Sequence, residues 1–488
     1  MSNKIFINNN FDKRFDKTVI DILNILGYSY ESKDKSNCCF ELHLEKNLKF
    51  NDDFFLSIEL IFKEKHFIEN LQLKNVSYSD ATVLIKKSIL KLLNNVVKIP
   101  QLEWGILSGV RPVKLYHKLL KLKKNPDNVL KEKYLLSNKK IKLLKKIVCL
   151  QKNIINFNLN EVGVYIGVPY CPSKCIYCSF PIGIMPNSEE FQEKFCNAIE
   201  EDIHNVVQLV SMFELKITTI YIGGGTPISL AEKYFDKMLN IVANNLASKH
   251  LKEFTVEAGR PDCFSEKKLL SMKKYGVDRI SLNPQSMHDA TLEIIGRKHT
   301  VKQIYDVYKQ IKNSNIKCVN MDLIIGLPNE TLKDMKESID RVVELNPENI
   351  TIHTLTLKKG SRLFYEKDKY NFISVAEAKE ALRYAKQKCL SLGMNPYYLY
   401  RQHYMLGNLE NVGYSKPGHE SIYNIQMMEE QNLIIGVGPS TATKAPMKDG
   451  HHLKKTYSSK DLKSYRENIS KFILKRYKII EECCKREE

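Results

Sequence analysis

No stretch of this 488-residue sequence reaches the roughly 18 uninterrupted apolar residues that a membrane-spanning helix needs. The opening MSNKIFINNNFDKRFDK has no apolar core of the secretory kind, so a cytosolic protein without a membrane partner is expected. Low-complexity linkers are missing too. Acidic residues are scarce beside basic ones, 56 against 75, leaving a formal net charge of +19. The imbalance is concentrated between Arg111 and Leu150, where thirteen Lys or Arg face only Asp127 and Glu132. An anionic partner and a lysine-rich solvated surface both account for such a stretch. It lacks the aromatic platforms on which single-stranded nucleic acid stacks, which argues against nucleic acid. Disulfides are not expected among the 12 cysteines, because the cytosol is reducing and a chain this long needs no staples. Cys149, Cys196, Cys318 and Cys389 sit among aliphatic neighbours and are expected to be buried.

A hydrophobic fraction of 43% and a charged fraction of 27% describe a folded protein, and the length implies two or three domains. Three segments are expected. In residues 1–155, FELHLEKNLKF and FFLSIELIFKE alternate apolar and polar residues like a half-buried antiparallel pair. DATVLIKKSILKLLNNV then reads as an amphipathic helix, giving a basic α+β domain. In 156–394, short apolar runs (VGVYIGVP, ITTIYIGGG, EFTVEA, DRISLNP, CVNMDLIIGLP, NITIHTLTL) alternate with helical segments. Strict alternation predicts a parallel sheet with right-handed crossovers. Without a dinucleotide-type glycine turn, a partial (β/α)6 barrel fits better than a flat sheet, with functional residues at the carboxyl ends of its strands. Residues 395–488 are expected to form a small aromatic-rich domain. There Tyr397, Tyr398, Tyr400, Arg401, Gln402 and His403 suit either a lid over a flat ligand or a strand with a half-buried aromatic face.

The fourth member of a metal site is also missing. PYCPSKCIYCSF places Cys171, Cys175 and Cys178 directly after the first barrel strand, and position 180 is Phe. Structural zinc wants four closed ligands, whereas a four-iron cluster on three thiolates keeps one iron open for an outside ligand. Gly223, Gly224, Gly225 and Thr226 end the second strand, where glycine lets backbone approach a ligand. Glu257 ends the third strand, Gln285 the fourth, and Asp322 lies in the fifth, while Arg297 offers a guanidinium suited to a carboxylate.

Tyr165 through Phe180 resembles the cluster loop of the radical S-adenosylmethionine superfamily. The order and spacing of Tyr165, the cysteines, GGGTP, Glu257, Gln285, Arg297 and Asp322 resemble its oxygen-independent coproporphyrinogen III dehydrogenase group. The WGILSGVRP and GNLENVGYSKPG stretches look like the HemZ subgroup of it. The resemblance implies a [4Fe-4S] cluster on Cys171, Cys175 and Cys178, and one or two S-adenosylmethionine molecules. Tyr165, Gly224 and Glu257 would touch one of these; Tyr177, Gly225, Thr226, Gln285, Arg297 and Asp322 would line a second site. Tyr165 and Arg297 carry the implied catalytic roles. The implied activity is oxidative decarboxylation of two propionates of coproporphyrinogen III to vinyls. It would need a tetrapyrrole substrate and a low-potential electron donor such as a flavodoxin or ferredoxin. Two departures, Gly167 where decarboxylases carry His and Phe180 where they carry a fourth cysteine, resemble instead the haem-chaperone branch. That branch implies haem binding or trafficking as the alternative.

Overall fold

A computed structural model describes residues 4–31, 38, 40–49, 53–73, 75–99, 102–108, 111–154, 158–402, 405–447 and 452–484. The chain forms two compact units. One comprises residues 1–110, 115–145 and 402–409; the other comprises 111–114, 146–401 and 410–488.

The first unit is built on a five-stranded sheet of β1 (Lys4–Asn9), β2 (Ser29–Glu31), β3 (Phe40–Lys49), β4 (Asp53–Phe62) and β5 (Lys65–Gln72), in the order β2-β1-β3-β4-β5. β3 and β4 are antiparallel, as their alternation predicts. Period-two patterning puts Phe40, Leu42 and Leu44 on the same buried face as Leu56, Ile58 and Leu60. Against that face pack α1 (Asp16–Ile25) and the expected amphipathic helix, α2 (Tyr78–Asn94), through Val19, Ile22, Ile85 and Ile89. Two cationic helices follow, α3 (Pro112–Lys121) and α4 (Asn138–Ile154).

The second unit alternates strand and helix: β6 (Glu161–Val168), α5 (Glu189–Met212), β7 (Lys216–Gly224), α6 (Glu232–Leu246), β8 (Glu253–Glu257), α7 (Glu266–Lys274), β9 (Arg279–Ser281), α8 (Val301–Asn313), β10 (Cys318–Ile325), α9 (Leu332–Leu345), β11 (Asn349–Thr354) and α10 (Val375–Ser391). Its six strands are parallel and adjacent in chain order, the arrangement the alternation predicts.

The 395–488 segment differs from expectation. It contributes β12 (Asn395–Tyr400), β13 (Asn411–Ser415), α11 (Ile422–Glu429), β14 (Ile434–Val437), β15 (Ala442–Pro446), β16 (Leu453–Tyr457) and α12 (Leu462–Cys484). Its strands extend the barrel sheet at both ends, in the order β12-β13-β11-β10-β9-β8-β7-β6-β14-β15-β16. β14 runs parallel to β6, the first barrel strand, and Tyr397 and Tyr398 are buried in β12. The aromatic run is therefore a sheet strand, not a free lid, and Arg401 is buried with it; His403 lies outside the described residues. Cys196, Cys318 and Cys389 are buried as expected, but Cys149 is exposed on α4.

Candidate functional site

β6 ends at Val168 and the chain turns at once into the cysteine loop. β6 and β7 are parallel neighbours, with Tyr165 opposite Tyr221 and Gly167 opposite Gly223. Their carboxyl ends therefore deliver the cysteine loop and the Gly223–Thr226 turn to one place. Backbone bonds fasten the two: Gly225 N–H donates to Val168 O at 2.8 Å and Thr226 N–H to Tyr170 O at 2.7 Å. A Cβ on Gly225 would lie 2.5 Å from Tyr170 O, and Gly224 has φ +112°. Only glycine meets both demands without strain.

Cys171, Cys175 and Cys178 are free thiols, the first two buried. The Thr226 hydroxyl donates to Cys171 Sγ at 3.2 Å, and Arg260 Nη1 points to Cys175 Sγ at 3.9 Å. Burial pushes Cys171 up to about 11 and also raises Cys178, and the neighbouring thiols add to both shifts. A coordinating metal reverses this, since a ligating thiol loses its proton outright. Three loop thiols with Phe at position 180 fit a cluster that keeps one iron open better than a closed four-ligand zinc site.

The remaining expected residues gather around the same opening. Tyr165 stacks with both Tyr221 and Tyr423, each ring centroid 6.1 Å away. Glu257 ends β8 and accepts from Tyr221 Oη at 2.7 Å. Burial, reinforced by Asp322, pushes its carboxyl up to about 7, against hydrogen bonds from Tyr221 and the Gly224 backbone. Asp322 sits on β10 beside His353 Nε2 at 3.5 Å and accepts from Asn320 at 2.8 Å. Burial alone would raise it, but His353, Asn320 and Thr351 outweigh that and hold it below the usual carboxylate value. Arg297 donates to Gly259 O at 2.8 Å, to Asn283 O at 2.6 Å and to Tyr177 Oη at 3.4 Å, which ties the cysteine loop to two strand ends. Its buried Nε has no hydrogen-bond partner.

Gln285 is displaced from expectation. β9 stops at Ser281, and Gln285 lies beyond it with a left-handed φ of 69°. Bonds from Gln285 N–H to Asp322 O and from Ile324 N–H to Gln285 O hold that uncommon backbone in place.

Four contributors escape motif reading. Arg260, three residues past Glu257, was detectable as a charge at a strand end. Tyr221 and His353 lie inside strands, and Tyr423 comes from α11, far along the chain. Tyr221 and Tyr423 stack closely, 4.4 Å between centroids, and His353 bonds Tyr400 at 3.1 Å.

The profile of the Radical SAM superfamily matches residues 165–342. The chain is 36% identical over 454 residues to the oxygen-independent coproporphyrinogen-III oxidase-like protein HemZ of Bacillus subtilis, covering 88% of this chain and 91% of that protein. The chain belongs to the radical SAM superfamily, in the HemZ-like group. This radical SAM chain is also 30% identical over 281 residues to the heme chaperone HemW of Bacillus subtilis, across 57% of this chain and 69% of that one. Among solved structures, coproporphyrinogen III oxidase HemN of Escherichia coli, a radical SAM enzyme, shares the fold. Its TM-score is 0.51 at 16% identity, covering 69% of this chain and 78% of that one. The superfamily's cofactors, a [4Fe-4S] cluster and S-adenosylmethionine, are the cofactors of this chain. The site accommodates them on its own terms: three thiols on one loop, two of them buried, two donors aimed at sulfur, a glycine turn pressed against the loop and an unpartnered buried guanidinium nitrogen.

Proposed function

We propose that this radical SAM chain removes the carboxylates of two propionates of coproporphyrinogen III without oxygen, leaving vinyl groups. The observation that supports this most directly is the likeness to the HemZ protein along nearly the whole length of both chains. Cys171, Cys175 and Cys178 would hold the cluster. Tyr165, Gly224 and Glu257 would bind one S-adenosylmethionine; Tyr177, Gly225, Thr226, Gln285, Arg297 and Asp322 would line a second cofactor or substrate position. When bound and reduced, the cluster and S-adenosylmethionine supply a 5'-deoxyadenosyl radical that takes a hydrogen atom from carbon. Each propionate loses that atom from its β-carbon, then carbon dioxide and one electron, which passes to a one-electron acceptor. Tyr165 and Arg297 position the reactants: Tyr165 through its stack with Tyr221 and Tyr423, Arg297 by tying Tyr177 to the strand ends. The apolar bodies of these stacked tyrosines would help exclude water from the reacting carbon.

A second reading, haem binding without decarboxylation, draws on position 167. A Cβ there would lie 2.4 Å from Thr441 Cγ2 and 2.9 Å from Pro439 O, so β14 and its turn occupy the space a histidine would need. One anaerobic assay separates the two. Reduced protein given coproporphyrinogen III and S-adenosylmethionine should yield mono- and divinyl products together with 5'-deoxyadenosine. Stoichiometric haem binding with neither product would overturn the decarboxylase reading in favour of the second.

A further inference from the structure

We propose that Arg260 and Thr226 set the reduction potential of the cluster by hydrogen-bonding to two of its three thiolates, an inference that rests on the ligand assignment of Cys171, Cys175 and Cys178. Neither side chain has a neutral bystander's surroundings. Arg260 is 2% exposed, and burying a guanidinium needs compensation at every donor. Asp262 supplies part of it, gripping Nε and Nη2 at 3.1 Å each. Behind Asp262 stands His299, its Nδ1 3.4 Å from the carboxylate and its side chain fully enclosed. With one edge of the fork fixed, the remaining donors face the cysteine loop: Nη2 meets Ser173 Oγ at 2.8 Å, while Nη1 meets Ser173 O at 3.3 Å and Cys175 Sγ at 3.9 Å. Ser173 in turn donates to Gly296 O at 2.9 Å. The guanidinium is thus held in one orientation by groups that themselves cannot move far. On the other side of the loop, the buried Thr226 hydroxyl aims at Cys171 Sγ at 3.2 Å.

Reduction adds one negative charge to a buried group. A fixed positive charge and a fixed O–H dipole pointing at the ligating sulfurs favour the reduced state more than the oxidised one, so both raise the potential. The electron comes from a low-potential one-electron donor protein, and no bond to the thiolates forms or breaks. For Thr226 this gives the side chain a role toward sulfur, separate from the backbone approach of its glycine neighbours.

The test is a redox titration of the anaerobically loaded full chain, followed by the electron paramagnetic resonance of the reduced cluster. Arg260→Gln and Thr226→Val should each show about a ten-fold smaller ratio of reduced to oxidised cluster at a fixed poise, a 59 mV fall for one electron, with iron and sulfide contents unchanged. Arg260→Lys, which keeps the charge and loses the fork, should recover most of the shift; Thr226→Ser, which keeps the hydroxyl, should recover it fully. Unchanged potentials in loaded Arg260→Gln and Thr226→Val overturn the proposal. Should Arg260→Gln bind no iron, Arg260 is a clamp for the loop, its assignment fails, and Thr226→Val decides the remainder. Absence of labile sulfide from the unsubstituted protein is a different result, and it would sink the ligand assignment itself.

Discussion

At the scale of single residues, the site sets carboxylates of opposite character side by side. Asp322 is kept ionised by His353 and its amide and hydroxyl neighbours, while Glu257, buried against Tyr221, is pushed up to about 7. The folded Glu257 therefore keeps its proton across a window, from its ordinary 4.5 to about 7, in which the unfolded chain has released it. The unfolded state binds fewer protons there, so stability falls as pH rises through that window and levels off above it. Glu257→Gln should remove this component of the slope, seen as a flatter plot of melting temperature against pH. It should also weaken S-adenosylmethionine binding above pH 7, measured by calorimetry. A flatter plot with unchanged cofactor affinity would leave Glu257 a buried structural acid. Legibility at this scale tracks sequence distance. The cysteines and GGGTP declare themselves because each is a short run with a single chemical purpose. Tyr423 and His353 do not, because a lone aromatic in a helix or a lone histidine in a strand has the same local pattern as ordinary core.

At the scale of elements, the alternation of six strands and helices was readable because each βα unit is local, and right-handed crossovers leave little choice of order. What could not be read was the closing of the sheet. β14 pairs with β6 from some 270 residues away, and nothing in NLIIGVGPSTATK names that partner. The attachment of the last helix is equally non-local. Arg476 of α12 reaches Asp202 of α5 at 2.6 Å with both side chains fully buried. Arg476 also donates to Gly436 O at 3.0 Å, and Asp202 receives Gly438 N–H at 3.0 Å and the Tyr465 hydroxyl. One carboxylate thereby joins α5, α12 and the turn after β14. Arg476→Ala leaves that carboxylate buried without its cation, which costs about 3–5 kcal/mol. Urea unfolding should show a lower midpoint, and Asp202→Asn combined with Arg476→Met should restore much of the loss, since an uncharged pair of similar volume avoids the cost of desolvating a charge. A double variant no more stable than Arg476→Ala would show that packing of the long side chain, not charge, holds the helix.

At the scale of the whole molecule, the charge of +19 is where composition said least about use. The Arg111–Leu150 stretch, read as either a solvated surface or an anion-attracting one, divides on inspection. Lys140 is buried, pairs with Glu103 at 2.9 Å and lies over the ring of Trp104. Lys139 also reaches Glu103, and Lys145 reaches Asp127. These lysines serve the fold of their own unit, and neutralising them would confound stability with binding. Lys118, Lys123, Lys142 and Lys146 are among the exposed lysines of the stretch, and such charges carry a field into solvent. The proposed tetracarboxylate substrate, approaching a net-positive protein, would feel that field within about 8 Å at physiological salt. Changing these four lysines to Gln should therefore lower the affinity for coproporphyrinogen III at low ionic strength, leave the melting temperature nearly unchanged, and flatten the dependence of affinity on salt. The divinyl product, with two carboxylates fewer, should respond about half as steeply as the substrate. Equal salt dependence in the substituted and unsubstituted proteins, measured by anaerobic fluorescence titration, would reduce the exposed lysines to solvation and leave substrate capture to the barrel opening alone.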